Sequence, residues 1–218
     1  MSDVLRQIAA QFAAATALDL ANFILGVIGV WLMTRQRLVA FPVGLVAVSV
    51  QGVLFYQQKY FADALLQVFF FVTLAWGWRH WVRDRGDSSE LPVTRLTARG
   101  WVLTLGASAA VTAGWALTLG PWLGSVQPWR DAFIAAFSVT AQVLQVRKIF
   151  ENWLLWIVVN VVAVQSYLSA VGAYTALLYL IYLGLAVAGL LAWRKAMVSA
   201  VGRVTSPGDH GADRQSTG

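Results

Sequence analysis

No cysteine occurs anywhere in the 218 residues, so neither a disulfide framework nor a thiolate-based metal or redox centre can form. Histidine is nearly as scarce. His80 and His210 both lie outside the apolar runs, with no companions to complete a metal site or a Ser-His-Asp constellation. A glycine-rich phosphate-binding loop is missing too, so the chain has no such means of hydrolysing ATP. Charge is thin, at 12% of residues, and no Asp, Glu, Lys, Arg or His falls deep within an apolar run; Asp63, Asp131 and Glu151 stand close to the ends. Proton relays and voltage sensors need ionisable groups inside the membrane, and anion carriers usually offer a cation there. Coupling by protons and a charged substrate cage therefore lack support. A membrane enzyme lacks it as well, since paired in-membrane carboxylates are absent.

What the chain has in quantity is apolar surface. It is 59% hydrophobic with a mean hydropathy of +0.65, too apolar for a soluble domain of this size. Hydrocarbon cannot satisfy backbone N–H and C=O groups, and apolar runs of about 20 residues without two-residue alternation mean helices. The expected class is an all-α integral membrane protein with seven transmembrane helices, near residues 18–34, 39–57, 61–79, 101–123, 131–147, 153–171 and 174–193. Residues 1–17 carry Leu5, Ile8, Ala9 and Phe12 at helical spacing, and read as an amphipathic helix rather than a cleaved signal. Residues 80–100 form the one extended polar loop. Residues 194–218, rich in Gly, Ser and Asp, read as a disordered tail.

The net charge of +6 does not point to nucleic acid, because the basic residues gather at the ends of the spans. With seven spans, one side holds only Arg6, Lys59 and Arg130, while the other holds the remaining 13 Lys and Arg. Positive residues stay inside, which places the carboxyl terminus in the cytoplasm and the amino terminus outside; the expected home is the bacterial cytoplasmic (inner) membrane.

Sliding the chain against itself by 112 residues brings Asp19 to Asp131, Arg35 to Arg147, Phe41 to Trp153, Gly77 to Gly189 and Trp81 to Trp193. The shift carries the first span onto the fifth, so both copies cross the bilayer in the same sense. A parallel 3+1+3 repeat follows: residues 18–79 and 131–193 are two three-helix units, and 101–123 is a linker helix. Transporters with this plan place substrate between the halves near the midplane; a repeat with only a structural role is the alternative.

Within the spans, amides and aromatics replace charges. Amides offer donors and acceptors without the desolvation cost of an ion. Asp131, Ser138, Gln142 and Gln145 follow a helical stripe, and Trp153, Trp156 and Asn160 share one face of the sixth span. Tyr179 and Tyr182 lie on the seventh span, Gln51 on the second, and Asp63, Gln67 and Trp78 on the third. This chemistry suits a flat, polar, even cationic ligand that stacks on rings while its hydroxyls or amide bond Gln and Asn. For a single amide, an interhelical hydrogen bond is an equally good reading. For Trp76, Trp78, Trp81, Trp101, Trp122, Trp129 and Trp193, near span ends, interfacial anchoring is the stronger one.

The segments "YFADALLQVFFFVTLAWGWRHW" and "RKIFENWLLWIVVNVVAV" resemble the two signature regions of the PnuC-type vitamin transporters, over about residues 17–195. That resemblance implies a SWEET-like fold and facilitated diffusion of nicotinamide riboside, without a cofactor, with a cytoplasmic kinase trapping the substrate by phosphorylation. It also implies Gln67, Trp78, Trp156 and Asn160 as ligand neighbours. The run Gly44-Leu45-Val46-Ala47-Val48 departs from the family at Ala47, where riboside carriers often show Asn. Thiamine, riboflavin or deoxynucleosides are thus alternative substrates, and a capture subunit that needs an ATPase partner is an alternative mechanism. A homo-oligomer, as dimer or trimer, is compatible with this plan.

Overall fold

In the computed structural model, residues 2–84, 91–119, 127–169 and 173–205 are described. They form eight helices: α1 (Ser2–Ala14), α2 (Ala17–Thr34), α3 (Ala40–Gln57), α4 (Phe61–Arg83), α5 (Ala98–Leu117), α6 (Pro128–Val146), α7 (Asn152–Ser169) and α8 (Ala173–Thr205). Local chemistry sets several of the starts. Thr16 and Asp19 make a reciprocal capping box at α2, Thr97 accepts from the Gly100 N–H at α5, and Pro128 opens α6 where its missing N–H costs nothing.

Four stretches are long and apolar enough to cross a membrane on their own: Ala17–Thr34, Ala40–Gln57, Ala98–Leu117 and Thr175–Ser199. Of the others, α7 is apolar over Asn152–Ser166 though shorter, and α6 carries the polar Gln142 and Gln145, which the packing buries. The seven expected spans thus correspond to α2–α8. One expected boundary differs. Residues 194–205, expected in a disordered tail, continue α8 as helix, and residues 206–218 lie outside the described residues. Part of the expected polar loop, residues 91–97, has a defined place, described below.

Six helices close a ring. α2 packs on α3, α3 on α4, α4 on α6, α6 on α7, α7 on α8, and α8 returns to α2. α5 lies outside the ring against α6, and α1 lies along α8. The ring has the symmetry of the repeat, since the displacement that maps α2 onto α6 also maps the α4–α6 contact onto the α8–α2 contact. Backbone detail follows suit: Gln36 and Lys148, which correspond under the shift, both sit at positive φ, 56° and 57°, at the corners that lead into α3 and α7.

The ring is pinned at its arginine-rich end by four aromatic side chains. Phe41 meets Trp81 edge-on at 5.1 Å, Trp153 meets Trp193 edge-on at 5.5 Å, and Trp81 and Trp193 lie 6.1 Å apart. All four are buried. Trp81 Nε1 donates to the Val146 carbonyl at 2.9 Å, and Trp193 Nε1 donates to the Met33 carbonyl at 3.3 Å. Each half therefore holds the end of the other half's first helix. Gly77 and Gly189 make room, because a Cβ at Gly77 would stand 2.6 Å from Val146 and 3.0 Å from Phe41, and one at Gly189 would stand 2.6 Å from Trp153. Trp81 and Trp193 are accordingly core residues and not the interfacial anchors their positions near span ends suggest; a buried indole with a carbonyl partner is fully satisfied. Trp76 and Trp129, about half exposed, suit the anchoring role.

Candidate functional site

The stripe on α6 turns inward. Ser138, Gln142 and Gln145 are buried, whereas Asp131, at the far end, is exposed and bonded by Arg130. α7 runs back along α6, and Trp156 Nε1 donates to Gln145 Oε1 at 3.1 Å. Gln142 of α6 and Asn160 of α7, each about one turn further from the corner than the Gln145–Trp156 pair, are also buried. Gln142 Nε2 is buried without a hydrogen-bond partner. An orphaned donor of this kind costs about 1–3 kcal/mol, a penalty that a ligand acceptor would remove.

The first half carries its amides at another level. Asn22 Nδ2 donates to Gln51 Oε1 between α2 and α3, and the Gln67 side chain of α4 lies over Gly52. Tyr182 of α8 brings its hydroxyl against Gly26 of α2, and packs edge-on to Tyr179 at 6.2 Å. The repeat is thus broken in chemistry while kept in backbone: Gln142, Gln145, Trp156 and Asn160 correspond to Val30, Met33, Gly44 and Val48, and Asn22 and Gln51 correspond to Ile134 and Ala163. An asymmetric ligand matches an asymmetric lining.

Of the expected site residues, Trp156 is joined to Gln145 by a hydrogen bond, and Gln142 and Asn160 are buried on the same two packed helices. Gln51 and Gln67 sit in the first half, on α3 and α4, and Tyr179 and Tyr182 at the α8–α2 seam. Trp78 stands apart, 39% exposed, on a face of α4 away from its buried neighbour Gly77. Asp63, on the same expected face, is also exposed. Trp153, expected beside Trp156, points instead into the aromatic cluster. Ala47 is buried in α3.

A strap across the arginine-rich end has no counterpart in the sequence reading. Residues 91–97 run beside the α6–α7 corner, where Thr94 donates its N–H to the Lys148 carbonyl at 3.1 Å and accepts from the Phe150 N–H at 2.9 Å. Glu151, 1% exposed, accepts from the Leu96 N–H at 2.9 Å and from Arg95 Nε at 3.1 Å. Leu91 and Val93 pack against the aromatic cluster, and the Lys148 ammonium sits 4.6 Å over the Trp81 ring. A lone Glu beside an apolar run was the only trace of this in the sequence.

Residues 16–195 match the model of the nicotinamide mononucleotide transporter family. The chain is 29% identical over 202 residues to the nicotinamide riboside transporter PnuC of Escherichia coli (strain K12), covering 81% of this chain and 84% of that one. It is 28% identical over 179 residues to the riboflavin/roseoflavin transporter RibM of Streptomyces davaonensis (strain DSM 101723 / JCM 4913 / KCC S-0913 / 768), covering 80% and 83%. A crystal structure of the vitamin B3 transporter PnuC shares the fold, with a TM-score of 0.71, 23% identity and 90% of each chain covered.

Proposed function

The chain belongs to the nicotinamide mononucleotide transporter family and is a membrane transporter rather than an enzyme; from that premise we propose that it carries nicotinamide riboside by facilitated diffusion. The observation that carries this reading is the group on α6 and α7: an unpartnered Gln142 Nε2, a Trp156 ring held in place by Gln145, and a buried Asn160. Nicotinamide riboside offers what those groups lack: a carboxamide and ribose hydroxyls for the amides, and a flat cationic ring for an indole face. The relative that carries riboflavin keeps a flavin as the second reading.

In this proposal residues 18–79 and 131–193 are the moving halves, with the arginine-rich end in the cytoplasm, the amino terminus outside, and the bacterial inner membrane as the setting. The aromatic cluster then closes the cytoplasmic side. Opening it breaks the two Trp-to-carbonyl bonds, each of net worth about 0.5–1.5 kcal/mol, and parts four rings. A ligand can shift the equilibrium by its difference in affinity for the two states and no more. Apolar spans without deep charges support a carrier that needs no ion gradient, with a cytoplasmic kinase drawing the substrate inward.

Calorimetry on the detergent-purified protein tests the substrate. Tight binding of nicotinamide riboside, with nicotinamide alone binding weakly, supports the proposal. Preferential binding of riboflavin, thiamine or a deoxynucleoside refutes the substrate assignment and directs attention to Ala47.

A further inference from the structure

The two halves differ in what covers their first helix. On α6 the outer face is covered by α5, with Ser108 Oγ and Thr140 Oγ1 sharing a hydrogen bond at 2.7 Å and Ala132 and Ala136 buried. Thr140 corresponds to Ile28 of α2, and Ala136 corresponds to Ile24. Ile24 and Ile28 are 55% and 42% exposed, because no described helix takes the place of α5 on that side. The face continues through Trp31 to Arg35, at helical spacing.

At the foot of this face Trp31, Leu32, Arg35 and Arg37 line a cavity of about 360 Å³. Arg35 stacks its guanidinium 5.4 Å over the Trp31 ring. Neither Arg35 nor Arg37 forms an ion pair with a described carboxylate. The carbonyls that would repel an anion at this helix end are engaged, since Trp31, Leu32 and Met33 accept from the N–H groups of Arg35, Gln36 and Arg37. The corresponding cavity cannot form in the other half, where Val143 and Ile149 stand in place of Trp31 and Arg37.

We propose that one phospholipid with an anionic headgroup binds α2 in the place that α5 occupies on α6, its headgroup phosphate held by Arg35 and Arg37 and its acyl chain lying along Ile24 and Ile28. Two guanidiniums favour a headgroup of net negative charge, and the exposed apolar face above them favours a lipid over a soluble phosphate. The site needs only a membrane around the bundle and is independent of which vitamin is carried.

Native mass spectrometry of the intact, detergent-purified chain titrated with phosphatidylglycerol or phosphatidylcholine tests the proposal. One phosphatidylglycerol per chain is expected to bind about thirtyfold tighter than phosphatidylcholine, two surface-held charges contributing roughly that factor. The preference is expected to fall to about twofold in Arg35→Gln/Arg37→Gln, with the single Arg37→Gln variant intermediate. Arg83→Gln, a basic residue outside the cavity, is expected to keep the full preference. Equal binding of the two lipids by the unaltered protein, or a preference that survives in the double variant, overturns the site. Glycerol 3-phosphate is expected to leave the lipid bound; displacement by it at matched concentration would show a soluble-anion site and overturn the lipid assignment. Should the double variant fail to fold, Arg37→Gln against Arg83→Gln decides the matter alone.

Discussion

Adding one methyl group at Gly189 puts the account of the aromatic cluster at risk. The new Cβ would lie 2.6 Å from Cδ2, Cε2 and Cζ2 of Trp153, so the ring or the helix must give by about 0.8 Å to reach ordinary contact. Trp153 is 1% exposed and edge-on to Trp193, and has nowhere to go without disturbing the bond from Trp193 to Met33. Overpacking of this kind costs about 1–3 kcal/mol, against a gain of roughly 0.5–1 kcal/mol from replacing a helical glycine. The mid-range figures leave a net loss of about 1 kcal/mol. Gly184 lies on the same helix with nothing within 4 Å of a Cβ, so Gly184→Ala keeps the gain without the clash. Thermal unfolding of the purified variants should therefore rank Gly184→Ala at or above the unaltered protein and Gly189→Ala clearly below it. If Gly189→Ala unfolds at or above the unaltered midpoint, the close packing of the four rings is wrong.

Gly77→Ala should lose a similar amount through Val146 and Phe41, read in the same unfolding experiment. Asn160→Leu should weaken nicotinamide riboside binding at least tenfold by calorimetry while the protein still elutes as a folded species; aggregation would mark Asn160 as packing glue. Arg95→Gln leaves the buried Glu151 carboxylate with the Leu96 N–H alone, a loss of about 1–2 kcal/mol for an ion pair whose arginine is largely exposed and therefore screened. Thr94→Pro removes the N–H that bonds Lys148, and should speed tryptic cleavage at Arg95 and Arg99; unchanged cleavage would show that the strap is not held by this bridge.

The spans and their repeat were open to reading because both rest on residue type: apolar length reports crossing, and the Asp, Arg, Gly and Trp matches report register. The paired positive-φ corners at Gln36 and Lys148 repay that register. Which way a tryptophan faces was not open. Trp78 and Trp81 are three residues apart on one helix, yet one is exposed and the other buried, and only the position of Val146 across the ring decides it. The strap was hidden for a similar reason. "LPVTRLT" carries a proline and lacks the sustained alternation of a strand, and takes its shape from the corner it lies against. The amides of α6 and α7 were legible as a polar stripe, whereas the pairing of Gln145 with Trp156, which leaves Gln142 unpartnered, required the two helices to be placed.

Uptake of labelled nicotinamide riboside into liposomes holding the purified protein, with no ion gradient, no ATP and no partner protein, tests the central claim most directly. Saturable entry is expected, stopping when inside and outside concentrations are equal and falling with Asn160→Leu. Entry that requires a sodium or proton gradient or an added ATPase, or entry of riboflavin in preference to the riboside, would contradict it.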